Sequence, residues 1–133
     1  MPNSYNRNNA ARLNIPLEPS IDLGSLTHFV REQILPRQQT PVVGGEFSME
    51  LLKKLHQLGW LQSYVPKEYG GIGLSTSDLL FISREIAYGS AGVFSTFHSN
   101  MVGHLAIILY AKEALRRRLS QAYVDTFSLW SFC

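Results

Sequence analysis

The 133-residue chain is long enough for one domain with a core of its own, and its 45% hydrophobic and 17% charged residues exclude a chain held open by charge. A formal net charge of +2 is too weak a field for a dedicated nucleic-acid binder. The longest purely apolar run, Leu105 to Ala111, falls far short of the roughly 20 residues that span a bilayer.

From Met1 to about Pro19 the prolines and asparagines show no sustained apolar period, which predicts a mobile or loosely docked arm ahead of a domain over residues 20–133. This stretch also lacks the apolar core of a signal peptide, and the single cysteine, Cys133, has no partner for an internal disulfide. Both point to a soluble protein of a reducing compartment, the cytoplasm.

A first helix is expected after Asp22, whose carboxylate can accept a bond from a free backbone N–H, with Leu23, Leu26, Val30 and Ile34 on one stripe and an end near Pro36. Pro41, Gly44 and Gly45 then favour a loop over Thr40 to Phe47. Ser48 is a good cap for a second helix with Leu51, Leu55 and Leu58 inward, Leu52 widening the stripe and Gly59 as left-handed exit. Between Trp60 and Leu74 the breakers Pro66, Gly70, Gly71 and Gly73 predict an ordered loop, with Ser63 to Val65 briefly extended.

Ser75 followed by Asp78 resembles a capping box, and Leu79, Ile82 and Ile86 carry a third helix to Gly89. A fourth, from about Gly92 to Tyr110, bears Phe94, Phe97, Met101, Leu105 and Ile108 and is apolar around much of its circumference, as befits a central helix. A fifth runs from Lys112 to about Val124 with Leu115, Leu119 and Ala122 inward, and Phe127 to Cys133 alternates as a strand would. The fold class is therefore all-α, a bundle of about five helices with a possible strand start at the end.

Short motifs add little chemistry. Gly70-Gly71-Ile72-Gly73 has the spacing of neither a P-loop nor a dinucleotide fingerprint, so it reads as a structural turn. None of His28, His56, His98 and His104 is paired at i, i+4, and His98 and His104 stand on different sides of one helix, so no metal is expected. No G-x-S-x-G elbow occurs, and Arg116, Arg117 and Arg118 splay into a solvated face.

The ordered succession Leu58-Gly59-Trp60, then Val65-Pro66-Lys67-Glu68-Tyr69-Gly70-Gly71-Ile72-Gly73-Leu74, then Ser83-Arg84-Glu85-Ile86-Ala87-Tyr88-Gly89 resembles the amino-terminal domain of acyl-CoA dehydrogenases. A long central helix, a basic segment (Arg116 to Leu119) and a strand (Ser128 to Cys133) follow in the order that family has, so the resemblance covers roughly Leu26 to Cys133. It departs at Tyr110-Ala111, where the family usually has a glycine, which leaves open how the fourth helix gives way to the fifth.

The resemblance implies an FAD-dependent oxidoreductase of fatty acid metabolism, which takes a proton and a hydride from adjacent carbons of an acyl-CoA and passes electrons to an electron-transferring flavoprotein. It implies an acyl-tail wall at Phe94, His98, Met101 and Val102, a flavin edge at Phe132 and Cys133, and no catalytic residue within the chain. Some straight-chain relatives carry a glutamate where His98 stands, so His98 and Phe97 bear on chain-length preference. The expectation is a truncated form, inactive alone and prone to form homo-oligomers; the alternative is a stand-alone helical interaction module that kept the fold and lost the chemistry.

Overall fold

The structure is a computed structural model that describes residues 18–39 and 49–131. Within them the chain forms α1 (Gly24–Phe29), α2 (Met49–Gln57), α3 (Thr76–Gly89), α4 (Ala91–Tyr110) and α5 (Glu113–Asp125), with no strand among the described residues. Residues 1–17 of the expected arm (1–19), the loop over 40–47 and the Ser48 cap lie outside the described residues.

α1 begins as its sequence suggests, with Asp22 Oδ1 accepting from Gly24 N at 2.7 Å. It does not stop near Pro36: the coil widens into a π turn (Val30–Ile34) and tightens into a 3-10 turn (Leu35–Gln39). Pro36 therefore sits in the opening turn of the 3-10 segment, where a missing N–H costs no intrahelical bond. Leu26, Val30 and Ile34 are fully buried, and they meet Leu51, Leu52 and Leu55 of α2, Ile82 and Ile86 of α3, and Val93 and Phe97 of α4 in the main core. Gly89 makes the fit between α1 and α3 possible, because a Cβ there would stand 2.7 Å from Val30 Cγ1.

The link from α2 to α3 is ordered by its own backbone. Gly59 exits α2 at φ 83°, as expected, although Leu58 is 47% exposed and does not join the inward stripe. Ser63 to Val65 forms turns, not an extended stretch, and all three residues are buried. Val65 and Tyr69 pin the loop inward, whereas Ile72 is exposed. The amides of Gly70, Gly71 and Gly73 donate to the carbonyls of Lys67, Pro66 and Val65, so they turn the chain and present no nest to an anion.

Ser75 caps α3, accepting from Asp78 N at 3.1 Å while its hydroxyl donates to Asp78 Oδ2 at 2.6 Å. Asp78 also accepts from Ser20 N and Ser20 Oγ, tying the segment ahead of α1 to the start of α3. α4 starts at Ala91 behind the Ser90 cap, which accepts from Val93 N.

Two helical faces differ from expectation. On α5 the buried residues are Ser120 and Tyr123, while Leu115 and Ala122 are exposed, so the inward side is rotated by about a quarter turn from the leucine stripe. α5 packs on the cluster of Tyr64, Val65, Tyr69 and Tyr123, and the buried Tyr123, with its hydroxyl bonded to Leu61 O, sets its rotation. On α4 the inward residues are Val93, Phe97, Asn100 and His104, whereas Val102 is 40%, Leu105 37% and Leu109 56% exposed. α4 is thus central on one side only.

α4 ends without a glycine. Ala111 adopts extended backbone (φ −73°, ψ 152°), and Arg116 Nη2 donates to Ala111 O at 2.9 Å just past the helix's negative end. Arg116 is accordingly half-buried, a correction to the solvated reading of the arginine run, which holds for the exposed Arg117 and Arg118. Residues 128–131 form no strand: no neighbouring strand lies beside them among the described residues, and Trp130 N is bound instead by a side chain of α4.

Candidate functional site

The residues assigned to a site lie on α4 and at the end of the segment after α5 that crosses it. Phe94, His98 and Val102 follow one another at steps of four along α4, with Leu105 and Leu109 continuing the line, and from His98 onward these residues are exposed. Phe94 is half-buried, its ring 5.7 Å from that of His98. Met101 is also half-buried but turns toward the cluster of Tyr64, Tyr69 and Tyr123. Of the four residues assigned to an acyl wall, His98 and Val102 are exposed, whereas Phe94 and Met101 lean inward, Phe94 against the main core and Met101 against the tyrosine cluster; Phe132 and Cys133 lie outside the described residues.

Beside that face runs a groove of about 260 Å³, walled by Ser95, Thr96 and Ser99 on α4 and by Leu129, Trp130 and Ser131 opposite. Gly103 permits this approach, since a Cβ there would stand 3.1 Å from backbone atoms of Trp130 and Ser131. The sequence does carry the signal for it: Ser95, Ser99 and Gly103 place small residues at steps of four on one side of a helix otherwise full of large apolar ones.

A buried relay fastens the groove. Asn100 is 1% exposed; its Oδ1 accepts from Trp130 N, its Nδ2 donates to Tyr123 Oη, and Tyr123 Oη donates to Leu61 O at 3.1 Å. Beside it lies His104, fully buried, with Nε2 3.3 Å from Ser120 Oγ and its ring stacked on Tyr123 at 4.6 Å. Burial pushes the His104 imidazole down to about 4, so it is neutral at ordinary pH. Burial likewise pushes the Tyr64 and Tyr123 phenols up, so both keep their protons.

The lining of the groove contains hydroxyls, an amide and an indole but no carboxylate, imidazole or thiol. It can hold and orient a ligand by hydrogen bonds and contact, and it offers no group that takes up a proton near neutrality. A second groove, between α1 and α2, is lined by His28, Phe29, Glu32, Lys54 and Leu58, which accounts for the exposure of Leu58. His98 and His104 face opposite environments, one exposed and one buried, and no group of three His, Cys, Asp or Glu gathers among the described residues. No helix of the described residues is long and apolar enough to cross a membrane.

Comparison with known proteins agrees with this architecture. Residues 23–125 match the family model described as acyl-CoA dehydrogenase, N-terminal domain. A probable medium-chain specific acyl-CoA dehydrogenase from Caenorhabditis briggsae is 31% identical over 49% of this chain and 16% of its own length. A probable acyl-CoA dehydrogenase from Bacillus subtilis is 36% identical over 55% of this chain and 12% of its own. A 3-(aryl)acrylate reductase from Clostridium sporogenes is 32% identical over 68% of this chain and 25% of its own. The chain thus spans a quarter or less of the length of these relatives.

Proposed function

The chain belongs to the acyl-CoA dehydrogenase family, as its amino-terminal domain, and from that premise we propose that it supplies one wall of the acyl-thioester site of an FAD-dependent oxidoreductase acting on CH–CH groups. The observation that carries this reading is the juxtaposition on α4 of an exposed line (His98, Val102, Leu105, Leu109), with the half-buried Phe94 at its start, and a polar groove crossed by residues 129–131. The first suits an acyl tail, and the second is walled by residues that directly precede in sequence Phe132 and Cys133, assigned to the flavin edge. Met101 backs the wall from inside.

A groove of about 260 Å³ is smaller than the pockets of roughly 300–1,000 Å³ that enclose whole ligands, so the residues present fit an edge of the flavin and not all of it. FAD, when bound, accepts the hydride. This chain's own residues orient the acyl tail, exclude water from one side and hold the flavin-side segment in place. They provide no proton acceptor at the groove, so the reaction depends on a carboxylate base and flavin contacts from a partner domain. Transfer of electrons to an electron-transferring flavoprotein and assembly into homo-oligomers belong to the same reading.

Two measurements test it. The isolated chain, given FAD, an artificial acceptor and acyl-CoA esters of graded length, is expected to give no flavin-dependent product. A chimaera in which residues 23–131 replace the matching part of the Bacillus subtilis relative is expected to bind FAD and oxidise acyl-CoA, with a chain-length optimum that shifts on His98→Glu. An active chimaera whose optimum ignores substitutions at His98 and Val102 refutes the acyl-wall role.

A further inference from the structure

Asn100 stands in the middle of α4 as one of its few fully buried polar side chains, and both ends of its amide are engaged. The direction of that amide follows from its neighbours. Tyr123 has one hydroxyl proton, which it gives to the carbonyl of Leu61, so toward Asn100 it can only accept. Nδ2 must then face Tyr123, and Oδ1 is left facing the backbone N–H of Trp130. The carbonyl of Leu61, in the core link between α2 and α3, thereby dictates which atom meets the flavin-side segment.

Gly103 acts on the same segment from the next turn of α4. Its missing Cβ lets the backbone of Trp130 and Ser131 close on the helix, and any side chain there would push it off by a few tenths of an ångström. One residue pulls the segment in and the other sets how near it comes.

We propose that Asn100 is a positioning residue for residues 129–131: oriented by Tyr123, it fixes the distance and register of that segment on α4, and so the width of the groove. The proposal deepens the functional reading above and rests on it for its purpose. Asn100 works through the backbone of Trp130.

The test uses the full chain and no flavin, so its result stands apart from that of the turnover experiments. Hydrogen exchange at the Trp130 amide, followed by NMR, is compared in wild type, Asn100→Leu, Tyr123→Phe and Ile82→Val. Asn100→Leu is expected to lower Trp130 protection about tenfold, as losing one hydrogen bond would. Tyr123→Phe is expected to lower it as well, although Tyr123 makes no bond to that amide, because its loss frees the Asn100 amide to turn over.

Ile82→Val loosens the main core without touching the relay, and it is expected to leave Trp130 protection as in wild type once compared at equal global stability. Gly103→Ala is expected to shift the Trp130 and Ser131 amide resonances while Asn100 keeps its bond to Tyr123. Wild-type protection in Tyr123→Phe would overturn the proposal, as would a fall in Ile82→Val equal to that in Asn100→Leu.

Discussion

Replacing His104 by glutamine should remove much of the domain's sensitivity to mild acid. The imidazole is fully buried against Tyr64, Tyr123 and Trp130, and burial lowers its pKa from 6.5 to about 4. The unfolded chain therefore binds a proton that the folded chain refuses. Stability from this group is complete above pH 6.5 and drains away as pH falls toward about 4, below which both states are protonated and nothing further is lost. At about 1.4 kcal/mol per pH unit the loss over that window is about 3 kcal/mol. Urea unfolding of wild type and His104→Gln at several pH values between 7.5 and 4 reads it directly. Glutamine can keep a bond to Ser120, and every other titrating group is common to both proteins, so the difference between the two curves isolates His104. Curves that run parallel from neutral pH to pH 4 would refute the argument.

Gly71→Ala should prevent folding, since its Cβ would lie 2.1 Å from the carbonyl oxygen of Val65, whereas Gly59→Ala, at φ 83° but with only Ile72 Cδ1 nearby, should cost about 1 kcal/mol; circular dichroism and urea titration separate the two. Asp78→Asn should lower stability by roughly 1–2 kcal/mol by weakening its bonds from Ser20 and Ser75. Those bonds hold the Asp78 carboxyl below its ordinary 3.8, so the stability it adds is present above pH 3.8 and lost as pH falls through its lower folded value; unfolding midpoints below pH 4 should lose their dependence on this position in the variant. The outward line of Val102, Leu105 and Leu109 should make the domain self-associate in sedimentation velocity runs at rising concentration, and Leu105→Glu with Leu109→Glu should return it to monomer without loss of helix.

Helix existence was legible in this sequence because each helix carries its own local signals. Asp22, Ser75 and Gly59 mark starts and a stop by chemistry that acts within a few residues, and all three do so in the structure. Rotation was harder to read. On α5 the leucine spacing points to one face, yet Tyr123 with its hydroxyl bonded to Leu61 O fixes another, and that acceptor is 62 residues away in sequence. The same holds for Asn100, which looks like an interruption in an apolar helix until Tyr123 and Trp130 are brought beside it. The break after α4 was obscure for a related reason: Arg116 closes it by folding back on Ala111, a contact that no propensity at Tyr110-Ala111 encodes.

α4 brings these threads together, because its sequence meets three different demands around one cylinder. Val93, Phe97 and His104 fill the interior, Ser95, Ser99 and Gly103 stay small where residues 129–131 cross, and Val102, Leu105 and Leu109 remain apolar and exposed. A helix serving only its own core would place charge on the third side, since exposed leucines lower solubility and add nothing to the fold. The run from Ala91 to Tyr110 contains no Asp, Glu, Lys or Arg at all. The core accounts for the first side and residues 129–131 for the second, so the exposed apolar third is what the proposed acyl-wall role would explain.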